Sequence, residues 1–246
     1  AWNGDRLALW TSTQKVFLVR SGLADLFDLP ENKIRVIGSR VGAGFGGKNA
    51  MRLKPYAAAL ALKTRKPVRL VNSRAEEFFA AAGSVPAIVR VKTGVKKNGI
   101  LIAQHVQFIF DSGAYGAYRP QGFLVGAHDA PGPYRVPNCL VEEKYVYTNK
   151  MPCGYMRAPG HLQAMFACES QTDLVARQLK IDPIEFRRMN LMHDGDAAPL
   201  GEVIPHVKAT ETLLKALDES GYRRDKKKNI GRGCAIADWV SKGGES

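Results

Sequence analysis

Cysteine is scarce in this sequence: four in 246 residues, at positions 139, 153, 168 and 234, with no C-x-x-C pair among them. That spacing excludes a zinc or iron–sulfur site built by this chain alone. It leaves reduced thiols, and therefore the cytoplasm as the expected compartment. Long apolar runs are also missing; none approaches the roughly 20 residues of a membrane span. No basic-then-apolar opening marks a signal peptide. Acidic residues are the short side of the charge balance, 23 against 36 Lys and Arg, for a net charge of +13. The excess is spread over helices and hairpins, and only 223–228 is a tight cluster. No basic motif interleaved with aromatics supports RNA recognition, so the charge reads as a solvated surface rather than a nucleic-acid footprint. An anionic cofactor or an acidic subunit would also answer it. There is no low-complexity segment and no repeat of 20–50 residues.

What is present is ordinary for a globular protein: 45% hydrophobic and 24% charged residues, with enough length for one large domain or two small ones. Arg6 to Thr11 alternates as a strand, Val16 to Phe27 has helical spacing, and Lys33 to Ile37 returns as a strand. A helix is expected from about Ala50 to Thr64, with Pro55 in its first turns, and a strand at Val68 to Val71. This first segment thus reads β-α-β-α-β. Ala87 to Thr93 and Ile100 to Phe110 form a hairpin signature around Gly94 to Gly99. The stretch from Tyr118 to Asn138 has little pattern, Leu140 to Thr148 resumes a strand, and His161 to Leu179 is a helix. Its apolar stripe is Leu162, Met165, Phe166, Cys168 and Leu174. Short helices follow, from Asp182-Pro183 to Met189 and from Thr210 to Glu219, and a strand begins at Gly231 to Val240. The expected class is α+β: a two-layer, mixed-sheet domain with β-α-β-α-β repeats and a β-hairpin insertion. Residues 1–75, 85–116 and 139–246 would be first repeat, insertion and second repeat of a single lobe, 1–246. The Met-less start and the strand opened just before Ser246 lead us to expect a processed subunit, a fragment or an expressed domain.

Between the strand at Lys33 and the helix near Ala50 lies Val41-Gly42-Ala43-Gly44-Phe45-Gly46-Gly47-Lys48-Asn49. Four glycines in six positions allow backbone angles that a β-carbon forbids and a close approach to a ligand. Free N–H groups ahead of a helix suit an anion. A dinucleotide fingerprint, Gly42-x-Gly44-x-x-Gly47, lacks its ribose acid, because the following strand ends in Asn72-Ser73-Arg74. A P-loop reading lacks its Ser/Thr, since Asn49 stands there. A second small-residue segment, Pro152 to Gly160, places Arg157 ahead of the His161 helix.

Three separated stretches, in order, resemble the first half of the large subunit of the molybdenum hydroxylases, the xanthine dehydrogenase and aldehyde oxidase family. Ser12-Thr13-Gln14 is similar to the segment whose glutamine approaches the apical oxygen of molybdenum. Gly44-Phe45-Gly46 is similar to the loop whose main-chain N–H groups meet the metal's oxygen ligand and the pterin. Tyr155 to Gln163 is similar to the family's Arg-Ala-Pro-Gly segment. The resemblance implies a molybdenum–molybdopterin cofactor contacted by Gln14, Gly44, Phe45, Gly46, Arg157 and Ala158. No side chain would ligate the metal directly. Asn49 and His161 would face the substrate, and Lys48 would meet cofactor phosphate or close its own loop. Such a centre suits backbone donors, an amide and a cation.

Departures narrow the implication. Purine-oxidising members carry a glutamate after the loop's lysine, where Asn49 stands, and an arginine in a segment that here spans 122–130 without one. The resemblance then favours oxidation of an aldehyde or aromatic heterocycle, with water as the oxygen source and molybdopterin cytosine dinucleotide as the cofactor form. The general-base glutamate of the family belongs to a later half, and Gly244-Glu245 stands at the wrong place to be it. No catalytic residue is expected here, so the chain alone should be silent. The second half, iron–sulfur subunits and a flavin subunit would be its partners, with no nucleic acid. The competing reading is a stand-alone nucleotide- or nucleic-acid-binding module using the glycine loop.

Overall fold

Alternation in Arg6–Thr11 sends Leu7 and Leu9 to one face, and both are buried. In the computed structural model, which describes residues 1–81, 83–115, 125–127, 130–199, 201 and 203–238, this segment is the middle strand of a three-stranded sheet. Strand β1 (Trp2–Asn3) lies antiparallel to β2 (Arg6–Thr11). Helix α1 (Val16–Phe27) carries the chain over to β3 (Ile34–Gly38), which runs parallel to β2 with Leu7 opposite Ile34 and Thr11 opposite Gly38. A parallel pair needs such a crossover. Val19, Leu23 and Ala24 of α1 pack with Leu7, Leu9 and Ile34 into one apolar cluster. Helix α2 (Lys54–Thr64) closes it with Ala58, whose carbonyl accepts from Trp2 Nε1 at 2.9 Å. Helix α3 (Arg74–Ala80) is short and starts at a capping box between Ser73 and Glu76.

Three sequence expectations change here. The helix expected from about Ala50 begins at Lys54. Val68 to Val71 is not a strand but irregular backbone, with Val71 exposed. Strands exist only through ladder partners, and the described sheet offers this stretch none. Asn72-Ser73-Arg74, read as a strand end, is instead the cap and first turn of α3.

These elements, Ala1–Val85, belong to one of two compact units, together with Gly113–Tyr118 and Asn149–Arg157. The returning segments are tied in by backbone bonds, Gly154 N–H to the Gly83 carbonyl at 2.9 Å and Ala114 N–H to the Lys150 carbonyl at 2.9 Å.

The second unit comprises Pro86–Ser112, Arg119–Thr148 and Ala158–Ser246. Its sheet is the hairpin of β4 (Ala87–Val95) and β5 (Leu101–Gly113), with β6 (Asn138–Tyr147) on the far side of β5. Side-chain bonds from Asn138 to the Ile102 carbonyl, between Glu142 and His105 and from Thr148 to Asp111 climb both strands in the same sense, as in a parallel pair. Helices α4 (His161–Leu179), α5 (Pro183–Asn190) and α6 (Ala209–Ser220) bury Val175, Ala176, Phe186, Leu213 and Leu217 with Leu101 and Tyr134. Asp182 caps α5, accepting from the Ile184 and Glu185 N–H groups. Arg187, 1% exposed, bonds to both Glu169 and Asp173. The bounds of α4 agree with expectation, and its expected stripe agrees in part: Met165 and Cys168 are buried, but Leu162, Phe166 and Leu174 are exposed, and the buried face also takes in Ala164, Thr172 and Ala176. Residues 231–238 are irregular rather than a strand, and Trp239 and Val240 lie outside the described residues. Both sheets are small, and each unit mixes helix and strand as expected.

Candidate functional site

The glycine loop and the end of β2 meet in the first unit. Gln14 follows β2 after a short turn. Its Oε1 accepts from the backbone N–H of Gly46 at 3.1 Å and of Lys48 at 3.2 Å. The backbone returns the tie, with the Gln14 N–H donating to the Lys48 carbonyl at 3.2 Å. Thr13, buried, adds its hydroxyl to the same carbonyl at 3.2 Å and accepts from the Lys15 N–H at 3.2 Å. One amide group thus clamps a loop that has little side-chain bulk to hold it. Gln14 itself is exposed, and among the described residues nothing accepts from its NH₂ end.

Two glycines are required by this packing. A Cβ on Gly44 would come within 2.5 Å of the Gln14 Cδ and Oε1. On Gly46, at φ +91°, it would meet Tyr155 Cβ at 2.7 Å and the Tyr155 carbonyl carbon at 3.1 Å. Phe45 between them holds φ +48° and is 53% exposed. Among the described residues nothing accepts from the Phe45 N–H. The Arg157 guanidinium carbon stands 6.0 Å from the Phe45 ring centroid, at the edge of cation–π range. Lys48 closes its own loop, donating from Nζ to the Val41 carbonyl at 2.6 Å. Asn49 is half-buried, and its N–H donates to the Gly46 carbonyl at 3.0 Å.

Gln14, Gly44, Phe45, Gly46 and Arg157 are therefore brought together. Arg157 joins because Asn149–Arg157 returns to the first unit, against Gly46. Ala158 and His161 belong to the second unit. Ala158 takes the left-handed conformation, φ +56°, and its carbonyl accepts from the His161 N–H at 3.2 Å. His161 is buried, with Nδ1 3.3 Å from the Gly126 carbonyl. His105 pairs with Glu142 at 2.6 Å, and Asp111 accepts from Thr148 at 2.6 Å, both structural ties. Tyr118, Phe123, His128 and Glu245 lie outside the described residues. Sequence reasoning gave Thr13 and Tyr155 no role of their own at this site. A small residue facing a bulky one across more than a hundred positions leaves no local signal.

The molybdopterin cofactor-binding domain family matches residues 1–191. This chain belongs to that family. Relatives in it carry the same span: a probable xanthine dehydrogenase subunit of Bacillus subtilis (strain 168) is 35% identical over 239 residues, covering 96% of this chain and 32% of that protein. The nicotinate dehydrogenase large molybdopterin subunit of Eubacterium barkeri is 35% identical over 227 residues, 90% of this chain and 53% of that protein. Among solved structures, quinoline 2-oxidoreductase from Pseudomonas putida 86 superposes with a TM-score of 0.79 at 29% identity, covering 89% of this chain and 29% of that one. Aldehyde oxidoreductase from Desulfovibrio gigas shares the fold, with a TM-score of 0.82 at 24% identity, over 88% of this chain and 24% of that one. The chain thus spans between about a third and a half of the lengths of the Bacillus and Eubacterium relatives. The stand-alone nucleotide-binding reading is not favoured by this membership. No helix among the described residues is long and apolar enough to cross a membrane.

Proposed function

We propose that this chain is the molybdopterin-binding lobe of a molybdenum hydroxylase that oxidises an aldehyde or an aromatic heterocycle, with water supplying the oxygen. The observation that carries the reading is the Gln14 lock on the Gly46 and Lys48 N–H groups, with Phe45 and Arg157 at the same edge. The residues fit an anionic, bulky ligand. Gly44 and Gly46 have no room for a Cβ, and Gly42, Ala43 and Phe45 of the same loop are exposed. The Phe45 N–H is available, the Gln14 Oε1 is spent inward so that its NH₂ is left to donate, and Arg157 brings a permanent positive charge. When bound, the molybdenum centre supplies the redox chemistry.

The roles follow from these groups. Gln14 and Phe45 donate hydrogen bonds, Gly44 and Gly46 permit close approach, Arg157 presents charge, and Ala158 next to it in the chain adds a small residue beside the cofactor. Asn49 and His161 are read as substrate-side residues. A neutral Asn49, where purine oxidisers carry glutamate, supports a substrate other than a purine, although the Bacillus subtilis relative is named for xanthine. The cytosine dinucleotide form of the cofactor is part of the proposal. So are iron–sulfur and flavin partners, a general-base glutamate outside this chain, and a cytoplasmic location.

Purification of the complete protein, followed by molybdenum and pterin analysis, tests the reading. One equivalent of each is expected in the wild type, with both sharply reduced in Gln14→Ala. Full content and full turnover in Gln14→Ala would overturn the role of the lock.

A further inference from the structure

A cavity of about 750 Å³ opens in the first unit, lined by Trp10, Ser12, Arg52, Lys54, Val71 and Arg74 among others. Its charge is lopsided. Lys48, Arg52, Lys54 and Arg74 line it, against Glu77 as the sole acid among the described residues of the lining. Glu77 is already committed, accepting from Arg52 at 2.6 Å and from Asn72 at 3.0 Å. Lys54 is the unusual member. It is 7% exposed, it bonds the Ala50 carbonyl at 2.7 Å, and among the described residues no carboxylate pairs with it. Burial and the neighbouring Arg52 both hold its ammonium below the ordinary lysine range. A buried, unneutralised cation is costly to keep, and natural proteins pair such groups. The rest of the lining has another character. Trp10, 62% exposed, and Val71, 68% exposed, give the cavity an apolar wall with Leu53 and Leu70.

We propose that this cavity binds the phosphate group of a small phosphorylated molecule, with Lys54 and Arg74 on the phosphate and Trp10, Leu70 and Val71 against its organic body. A dianion matches the uncompensated cations, and a body larger than free phosphate is needed to cover the apolar wall. An ammonium in a desolvated site gains most from a charge-assisted bond. Arg74 adds a planar fork suited to phosphate oxygens. Ser12 and Ser73 also line the cavity: the Ser12 hydroxyl is buried with no hydrogen-bond partner among the described residues, and the Ser73 hydroxyl, which accepts from the Glu76 N–H, keeps its own O–H to donate. The proposal stands apart from the cofactor reading, because Lys54 and Arg74 are not part of the Gln14 lock; Lys48 alone belongs to both, bonded to Gln14 through its backbone there and lining the cavity here.

Calorimetry and tryptophan fluorescence on the complete protein test it, with inorganic phosphate and phenyl phosphate as probes and with phenol and chloride at matched ionic strength as controls. Saturable binding of phosphate is expected, with phenyl phosphate tighter and phenol and chloride without effect. Lys54→Met should weaken phosphate binding about tenfold or more, the loss of one charge-assisted hydrogen bond. Arg74→Ser should weaken it several-fold, and Lys54→Arg should retain most of it. The exposed control Lys63→Met should bind as wild type. Circular dichroism and melting of Lys54→Met without ligand separate misfolding from lost binding. Binding that appears only after the pterin is stripped would overturn the separate site, assigning it to the cofactor's own phosphate. Binding with pterin in place would support a separate phosphorylated molecule. Undiminished binding in Lys54→Met, or a phosphate response no larger than that of chloride, would overturn the site. Neither result depends on whether Gln14→Ala loses molybdenum.

Discussion

The side-chain oxygen of Gln14 accepts the Gly46 N–H at 3.1 Å, across 32 positions of sequence. A strand end and a glycine turn are thereby held as one piece. That single amide replaces the side-chain packing the loop cannot have, and it leaves the outer face of the turn open.

The two glycines beside Gln14 should fail differently. In Gly44→Ala the three atoms nearest the new methyl all belong to the Gln14 side chain. Gln14 can swing away, at the expense of its two loop bonds, so a loss of about 1–2 kcal/mol is expected. Gly46→Ala conflicts with the Tyr155 backbone and adds a positive-φ alanine, a strain of about 1–3 kcal/mol before any clash. Denaturant midpoints should therefore rank wild type above Gly44→Ala and Gly44→Ala above Gly46→Ala. The reverse order would mean that the Tyr155 segment yields more easily than the Gln14 lock.

Gln14→Glu separates the two ends of the amide. A carboxylate keeps the acceptors for Gly46 and Lys48 N–H, so stability should stay within about 1 kcal/mol of wild type. It loses the outward donor and adds negative charge where an anion is proposed to bind. Molybdenum and pterin content should fall although the protein melts normally. Unchanged content would show that the NH₂ end of Gln14 plays no part.

Arg187 holds the second unit together from inside. It reaches Glu169 at 2.9 Å and Asp173 at 2.7 Å, and Tyr134 also donates to Glu169. Burial, with the Glu169 charge beside it, pushes the Tyr134 hydroxyl well above the ordinary tyrosine range. Replacing Arg187 by Met leaves Glu169 buried without its cation and should cost about 3–5 kcal/mol. Adding Glu169→Gln should return part of that loss. A double variant as unstable as the single would place the cost in packing rather than in charge.

Lys54 sets a pH dependence with a definite sign. Its folded-state pKa lies below the ordinary 10.5, through burial first and Arg52 second. The unfolded chain then binds more protons in the window between the two values, so this residue's contribution to stability rises as pH increases through it. At neutral pH the buried charge is a cost. Phosphate-free melts of wild type minus Lys54→Met, followed from neutral pH toward 10.5, should show the deficit shrinking. A difference that is flat or grows with pH would contradict the buried, unneutralised cation.

Local order was legible wherever one element carried its own signal. The bounds of α1 and α4 agree with their helical spacing, and α5 agrees with Asp182-Pro183 as cap and first residue. The hairpin of β4 and β5 was marked by alternation and a glycine turn. Helix α3 was missed although Ser73-x-x-Glu76 spells a capping box, because the preceding valines drew the reading toward a strand. On α4, apolarity alone found only part of the face: Met165 and Cys168 are buried, but Leu162 and Phe166 are exposed while Glu169 and Thr172 are buried. Spacing tells that a helix forms, not which neighbours surround it.

The amino-acid order by itself determined most of the elements, the glycine turn around Gly42 and Gly46, and the three segments that mark the family, since each depends on residues close in sequence. Only the tertiary structure decided that Gln14 bonds Gly46, that Tyr155 leaves no room for a β-carbon on Gly46, that Arg157 approaches Phe45, and that Lys54 is buried near Arg52 with no paired carboxylate among the described residues. The first three are pairings between groups tens to more than a hundred positions apart, and the last is a burial that no neighbour in sequence announces. Their energies arise from distance and desolvation, which exist only once the chain has closed on itself.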